Sequence, residues 1–247
     1  MPLYELTAPA TPHEPAVGAG PLPYETTLVL LHHAGGSSRG FGPFLPHLPR
    51  SWRVLGVDLP GRLLDRGAAR CRTAEEAVEL VHREVWPELD GPCAVFGHSM
   101  GALLAFELVR RLEAEGRAPD WLGVSGSLAP HARRAATATV LRHALAPTPG
   151  QPEALARLVA RTVRDDLTLV DGYEYAAGPP LRTPLAVFGG TDDPLAPASR
   201  LGAWSAHSPH PVAYHLWPGG HFYLFDHAEA VCGAVRAHMA KAPAPRG

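Results

Sequence analysis

Gly97-His98-Ser99-Met100-Gly101 set a serine between two glycines, after the apolar run Cys93-Ala94-Val95-Phe96 and before the helical pattern Ala102-Leu103-Leu104-Ala105-Phe106-Glu107-Leu108. A serine at such a strand-to-helix reversal is a nucleophile elbow. The turn is sharp, so its flanking positions must lack bulk and the serine must accept a strained backbone. In return the hydroxyl projects from the sheet edge, and the Met100 N–H faces any carbonyl that the hydroxyl attacks.

Such a serine needs a base within hydrogen-bond reach and an acid to orient that base. On a strand–turn–helix scaffold the acid and then the base follow the serine in the chain. Fourteen histidines make position alone uninformative. His221 is set apart by Pro218-Gly219-Gly220-His221-Phe222, a glycine turn that can bring an imidazole back over the sheet edge. His207, His210, His215 and His227 lack that context and read as surface or packing residues. His98 points away from the serine's side in a regular elbow and is not assigned as the base.

The acid belongs after the apolar run Leu185–Phe188, where Gly189-Gly190-Thr191-Asp192-Asp193-Pro194 offers two carboxylates. Asp193, directly before the proline, is the expected acid; Asp192 is the expected turn or cap residue. A second oxyanion donor is expected from His32-His33-Ala34-Gly35-Gly36-Ser37, the Gly-rich loop after Leu28–Leu31. The backbone N–H groups of Ala34 and Met100 form the expected pair, each contributing about 3 kcal/mol in the transition state. Neither G-x-x-x-x-G-K-[ST] nor G-x-G-x-x-G occurs, which disfavours a phosphate loop. His32 and His33 lack a carboxylate or thiol at ligand spacing, so packing beside the site is their expected role and no metal is expected.

The elements that must hold these residues are short apolar strands alternating with longer helical patterns. Strands are expected at Thr27–Leu31, Arg53–Val57, Cys93–Phe96, Leu122–Ser125, Leu185–Phe188 and Val212–Leu216. Helices are expected at Thr73–Leu89, where Thr73 and Glu76 suit a capping box, and at Ala102–Glu115 and His221–Met239. The alternation predicts an α/β fold with a mostly parallel sheet covered on both faces. From about 131 to 182 no strand interrupts short helical patterns at Thr137–Ala146, Glu153–Val163 and Asp165–Tyr173. That stretch is too long for a structureless loop. It is expected to be a helical lid over the carboxyl ends of the strands, where open α/β sheets bind ligands.

Composition bounds the alternatives. The chain has 247 residues, 46% of them hydrophobic, enough for one sizeable domain. Residues 1–24, rich in Pro, Ala and Gly from residue 8, are expected to be a flexible arm, 25–240 the domain, and 241–247 a flexible tail. A net charge of −2 disfavours nucleic-acid binding. Cys71, Cys93 and Cys232 are odd in number without C-x-x-C spacing, so three reduced thiols are expected. The first 24 residues have no signal-peptide pattern, and no apolar run approaches the roughly 18 residues that span a bilayer. The expected protein is cytoplasmic, with no membrane partner.

Taken together, several runs carry a resemblance. Leu31–Ser37, Leu59-Pro60-Gly61-Arg62, Gly97–Gly101, Val124-Ser125-Gly126 with Ala129-Pro130, and Gly219-Gly220-His221-Phe222 resemble type II thioesterases. These are the stand-alone α/β-hydrolases that accompany modular polyketide and nonribosomal peptide synthases. The likeness spans roughly Thr27 to Met239 in unbroken motif order. It takes in Arg164-Asp165-Asp166 and Tyr173, similar to the family's R-x-D and downstream tyrosine. Leu63-Leu64-Asp65-Arg66 departs from the family, which often has glycine soon after the arginine, and the arm leaves any first strand unassigned.

The resemblance implies an α/β-hydrolase fold with a helical lid. It implies hydrolysis of acyl groups from the phosphopantetheine thiol of acyl or peptidyl carrier proteins, clearing stalled or mis-primed units. Ser99, Asp193 and His221 would be the catalytic triad of a monomeric enzyme with no metal and no bound cofactor, the phosphopantetheine arm arriving with the substrate. In the lid, Arg133, Arg134, Arg142, Arg157, Arg161 and Arg164 outnumber Glu153, Asp165 and Asp166, which suits steering of an acidic carrier protein.

Three other functions compete. Malonyl-type acyltransferases also carry G-H-S-x-G, but they use no Ser–Asp–His order and need a downstream arginine that Trp121–Ser125 does not supply. A general carboxylesterase or lipase is disfavoured by the H-H-A-G-G-S and G-G-H-F runs. An idle binding module is disfavoured by an ordered set of serine, acid and base.

Overall fold

Strands β1 (Leu3–Glu5), β2 (Thr26–Leu31), β3 (Trp52–Val57), β4 (Cys93–His98), β5 (Trp121–Ser125), β6 (Leu185–Gly190) and β7 (Ala213–Trp217) form one sheet, ordered β1-β3-β2-β4-β5-β6-β7. The computed structural model describes residues 3–7, 24–61, 69–132 and 153–241. Every pairing from β3 through β7 is parallel, and β1 joins β3 antiparallel. Strands β2, β4, β5 and β6 are buried along their whole length, which explains their unbroken apolar runs. At the edge, β7 alternates, with Tyr214 and Leu216 exposed.

Alternate residues feed two cores. Val29, Leu31, Val95, Val124 and Val187 face helices α1 (Ala74–Val85) and α2 (Met100–Ala114). Leu28, Leu30, Phe96, Trp121 and Phe188 face the other way. There they meet Phe41 and Phe44 of a 3-10 segment, Ser38–His47, that the sequence pattern did not announce. The remaining helices are α3 (Glu153–Asp171), α4 (Ala198–Leu201), α5 (Tyr223–Asp226) and α6 (Ala228–Met239).

Four expectations need correction. The arm is not featureless: Leu3–Glu5 pair with Leu55–Val57, Leu6 N–H donates to the Val54 carbonyl, and Tyr24 hydroxyl donates to Glu5. The run Leu3-Tyr4-Glu5-Leu6-Thr7 carries too little pattern ahead of the Pro-rich stretch behind it to announce a strand. Glu153–Val163 and Asp165–Tyr173 are one continuous helix, because Arg164 is simply an exposed position on it. His221–Met239 is two helices, with His221 in the turn ahead of them. The capping box at α1 is half made: Thr73 accepts from Glu76 N–H, but the Glu76 carboxylate accepts from Arg72 N–H. Thr137–Ala146, with Arg133, Arg134 and Arg142, lies outside the described residues.

Burial pushes the Cys93 thiol up to about 11 and that of Cys232 to about 12. No helix of the described residues is long and apolar enough to cross a membrane.

Two histidine pairs tie the periphery to the core. His131 Nδ1 lies 2.8 Å from His207 Nε2, and His215 Nε2 lies 2.9 Å from His238 Nε2. Burial, then the neighbouring histidine, holds His207 and His238 at about 4 each, below the ordinary 6.5. Unfolding therefore takes up protons below pH 6.5. Stability is expected to be flat above pH 6.5 and to fall between 6.5 and 4. Thermal melts across that range check it, and a Tm unchanged from pH 7 to pH 5 would contradict the pairs' contribution.

Candidate active site

Ser99 closes β4 and caps α2 with φ 58 and ψ −114; no other non-glycine residue described has a positive φ. Two glycines make this strained turn possible. A Cβ on Gly97 would lie 2.0 Å from the Gly101 carbonyl oxygen, and one on Gly101 would lie 2.1 Å from that of Leu31. The elbow is thus pressed against the end of β2, which carries the Gly-rich loop to its side. Ser99 N–H donates to the Ser125 carbonyl at 2.8 Å, fixing the elbow to β5 as well.

The turn before α5 brings His221 back over the sheet. A Cβ on Gly190 would sit 2.4 Å from the carbonyl oxygens of both Gly219 and Gly220, so the β6 loop and the His221 turn touch backbone to backbone. Asp192 fastens them: its N–H donates to the Gly219 carbonyl and its carboxylate accepts from Gly219 N–H. Asp193, 2% exposed, turns inward. Its Oδ1 accepts from Leu195 N–H (2.8 Å) and Ala196 N–H (3.2 Å), which leaves Oδ2 for His221 Nδ1 at 2.8 Å. His221 Nε2 lies 2.9 Å from Ser99 Oγ. The structure thus brings Ser99, His221 and Asp193 into one hydrogen-bonded chain and puts Asp192 in the turn.

On the oxyanion side, Gly36 N–H bonds the His33 carbonyl in a β-turn whose third residue, Gly35, has φ +77, a conformation that favours glycine. Ala34 is the second residue of that turn. Met100 opens α2, where first-turn N–H groups have no partner within the helix. His32 and His33 pack beside the site: His32 is buried and accepts from Leu59 N–H through Nε2, and the His33 ring meets that of Phe222 edge-on.

One contact was not legible as chemistry. The Asp166 carboxylate of α3 accepts the Gly35 N–H at 2.6 Å, and Val163 occupies the space a Cβ on Gly35 would need. On the neighbouring position, Asp165 bonds Arg70, which also donates to the Gly61 carbonyl at 3.0 Å. The lid helix is thereby tied to the loop that carries Ala34. The signal available in the sequence was the R-x-D resemblance, which marks Asp166 without giving its partner. Asp166→Ala is expected to lower kcat about tenfold through a loosened oxyanion loop, while Asp166→Asn, which keeps an acceptor, stays near the parent. Steady-state kinetics check this, and an alanine variant within twofold of the parent would refute it.

A cleft of about 860 Å³ lies elsewhere, between α1, α2 and the strap 173–182, lined by Val78, Glu107, Arg110, Tyr173 and Leu181 among others. It includes none of Ser99, His221 and Asp193. Tyr173, whose hydroxyl donates to Glu107 at 2.5 Å, anchors the strap there.

A thioesterase-domain family model matches residues 26–239, from the start of β2 to the end of α6. The chain belongs to the thioesterase family. Thioesterase PikA5 of Streptomyces venezuelae is 36% identical over 229 residues, covering 86% of this chain and 80% of its own length. The gramicidin S biosynthesis protein GrsT of Aneurinibacillus migulanus is 29% identical over 231 residues, 86% of this chain and 90% of its own. Among solved structures, the type II thioesterase BorB from the borrelidin biosynthetic cluster aligns with a TM-score of 0.81 at 30% identity, over 96% of this chain and 97% of that one. The fold is that of an α/β-hydrolase, and the family's activity, thioester hydrolysis, is this thioesterase's activity.

Proposed function

We propose that this thioesterase removes acyl groups from the phosphopantetheine arm of acyl or peptidyl carrier proteins, freeing modular synthases from stalled or mis-primed units. The observation that carries the reading is the chain from Ser99 Oγ through His221 to a buried Asp193. Ser99 Oγ attacks the thioester carbonyl as His221 Nε2 takes its proton, and Asp193 holds the resulting imidazolium. The amides of Ala34 and Met100 receive the oxyanion. Collapse expels the thiol, which leaves with the proton from His221. Water, deprotonated by His221, then attacks the acyl-enzyme; the free acid departs and His221 returns the proton to Ser99. The scheme calls on no metal and no resident cofactor, and on one copy of the chain.

The carrier protein is the partner of choice for the lid. Arg157, Arg161 and Arg164 are exposed on α3, the helix that touches the oxyanion loop. An acidic partner docking there would place its arm near Ser99. The test compares a carrier-bound acyl group with a small free thioester. Ser99→Ala should abolish turnover of both, leaving at most the about 10³-fold residual advantage over water that binding and an oxyanion hole supply. Arg161→Glu with Arg164→Glu should raise KM for the carrier substrate alone. Hydrolysis surviving in Ser99→Ala would refute the mechanism, and equal losses on both substrates would refute docking at the lid. Free acid as product, with an acceptor thiol present, separates hydrolysis from acyl transfer.

A further inference from the structure

Behind His221 lies a second polar chain. His98 is fully buried; its Nδ1 is 2.9 Å from Ser125 Oγ, and Ser125 Oγ is 2.7 Å from the hydroxyl of Tyr223, itself 1% exposed. The three residues come from the pieces that must agree for catalysis. His98 adjoins the nucleophile, Ser125 also receives the Ser99 N–H through its carbonyl, and Tyr223 is two residues past the base. The His98 and His221 rings lie 4.9 Å apart, inclined at 40°. They meet there because Gly126 has no side chain: a Cβ would stand 2.5 Å from His98 Cε1 and 3.3 Å from His221 Cε1.

The direction of the protons follows from counting. If Tyr223 donates to Ser125 and Ser125 donates to His98 Nδ1, one buried group is left without a partner, His98 Nε2–H. The reverse order leaves two, the Tyr223 hydroxyl hydrogen and the lone pair of His98 Nε2. An unpaired buried polar group costs on the order of 1–3 kcal/mol, so the first order prevails. His98 is then a neutral imidazole with its proton on Nε2.

We propose that His98, Ser125 and Tyr223 form a positioning brace that locks the elbow to the His221 turn and keeps a neutral ring against the catalytic base. The proposal rests on Ser99 and His221 being nucleophile and base. Neutrality matters because His221 becomes an imidazolium in the transition state, and a second cation against it would oppose the proton transfer. Burial first, then His221 and His33, holds His98 well below the ordinary histidine range. The groups that face it are His33 from the β2 loop, Ser125 from β5, His221 and Phe222 from the turn, and Tyr223 and Phe225 from α5. No carboxylate is among them; the backbone carbonyls of Ser125 and His221 favour a charged ring, but less than burial and the neighbouring imidazoles oppose it.

The test uses Tyr223→Phe, Ser125→Ala and the double variant, with kcat, KM and the pH profile of kcat/KM on a small acyl thioester. Both single variants should lose about tenfold in kcat with KM within twofold of the parent. The double variant should be little worse than either, as members of one network behave. Ser125→Ala alone should move the acid limb to higher pH, since it strips the donor from His98 Nδ1 and lets that ring take a proton; Tyr223→Phe keeps that donor and leaves the limb in place. Single variants within twofold of the parent in kcat, or additive losses, would overturn the brace. Tyr223→Phe removes one oxygen and answers the question even if Ser125→Ala fails to fold. A parent enzyme without thioesterase activity would instead overturn the functional reading.

Discussion

Asp193→Asn should cut kcat for thioester hydrolysis about 10⁴-fold while the fold and KM stay close to the parent. The size of the effect comes from the direction of two hydrogen bonds. Oδ1 of Asp193 already accepts from the N–H groups of Leu195 and Ala196. An asparagine must keep its carbonyl oxygen there, so its NH₂ takes the place of Oδ2 opposite His221 Nδ1. Two donors cannot face each other, and the imidazole is driven to the tautomer protonated on Nε2. That nitrogen then has no lone pair for the Ser99 proton 2.9 Å away. The lost rate is therefore a tautomer effect rather than a binding effect, and it separates kcat from KM. Asp192→Asn is the control, because Asp192 serves the Gly219 turn and is exposed. Steady-state kinetics on both variants decide the matter; a comparable loss in Asp192→Asn, or a loss below about tenfold in Asp193→Asn, would reassign the acid.

The proximity of Asp193 to His221 was readable in advance because local rules converge on it. Gly219-Gly220 and Gly189-Gly190 announce backbone that approaches backbone, and an aspartate before proline at the end of a buried strand has few places to turn. Four of the seven strands, β2, β4, β5 and β6, were readable for a similar reason: a strand buried on both faces must be apolar throughout, and Leu28–Leu31 or Leu185–Phe188 can hardly be anything else. The edges obey weaker rules. Strand β1 offers only three residues, without alternation, ahead of a Pro-rich run, and its stability comes from β3, 50 residues away. Contacts of side chain to distant backbone are invisible to spacing. Asp166 to Gly35 spans 131 residues and Ser125 to Tyr223 spans 98. Nothing local to Ser125 says that its hydroxyl joins two loops. His98 illustrates the same limit: the elbow's geometry excludes it as the base, but only the assembled fold shows it lying behind one.

Gly101→Ala should destabilise the protein by about 3 kcal/mol or more and lower kcat at least about 100-fold in whatever remains folded. Helix propensity alone argues the opposite sign, since Gly101 sits in the first turn of α2, where alanine is ordinarily better by roughly 1 kcal/mol. Space decides. The new Cβ would lie 2.1 Å from the Leu31 carbonyl oxygen, 2.5 Å from its carbon and 2.7 Å from the His32 oxygen. All three are backbone atoms, and Leu31 is paired across to Gly97, so none can swing aside as a side-chain tip would. The elbow must lift away from β2 instead. That separates Ser99 from the loop that presents Ala34, so one methyl group disturbs the nucleophile and the oxyanion donors together. Gly202→Ala is the matched control, with φ −54 and nothing within 4 Å of the added carbon, and it should be neutral or slightly stabilising. Melts and kinetics on the pair test whether the second glycine of the elbow is there for close approach; a Gly101→Ala variant as stable and active as Gly202→Ala would show that the elbow has room to spare.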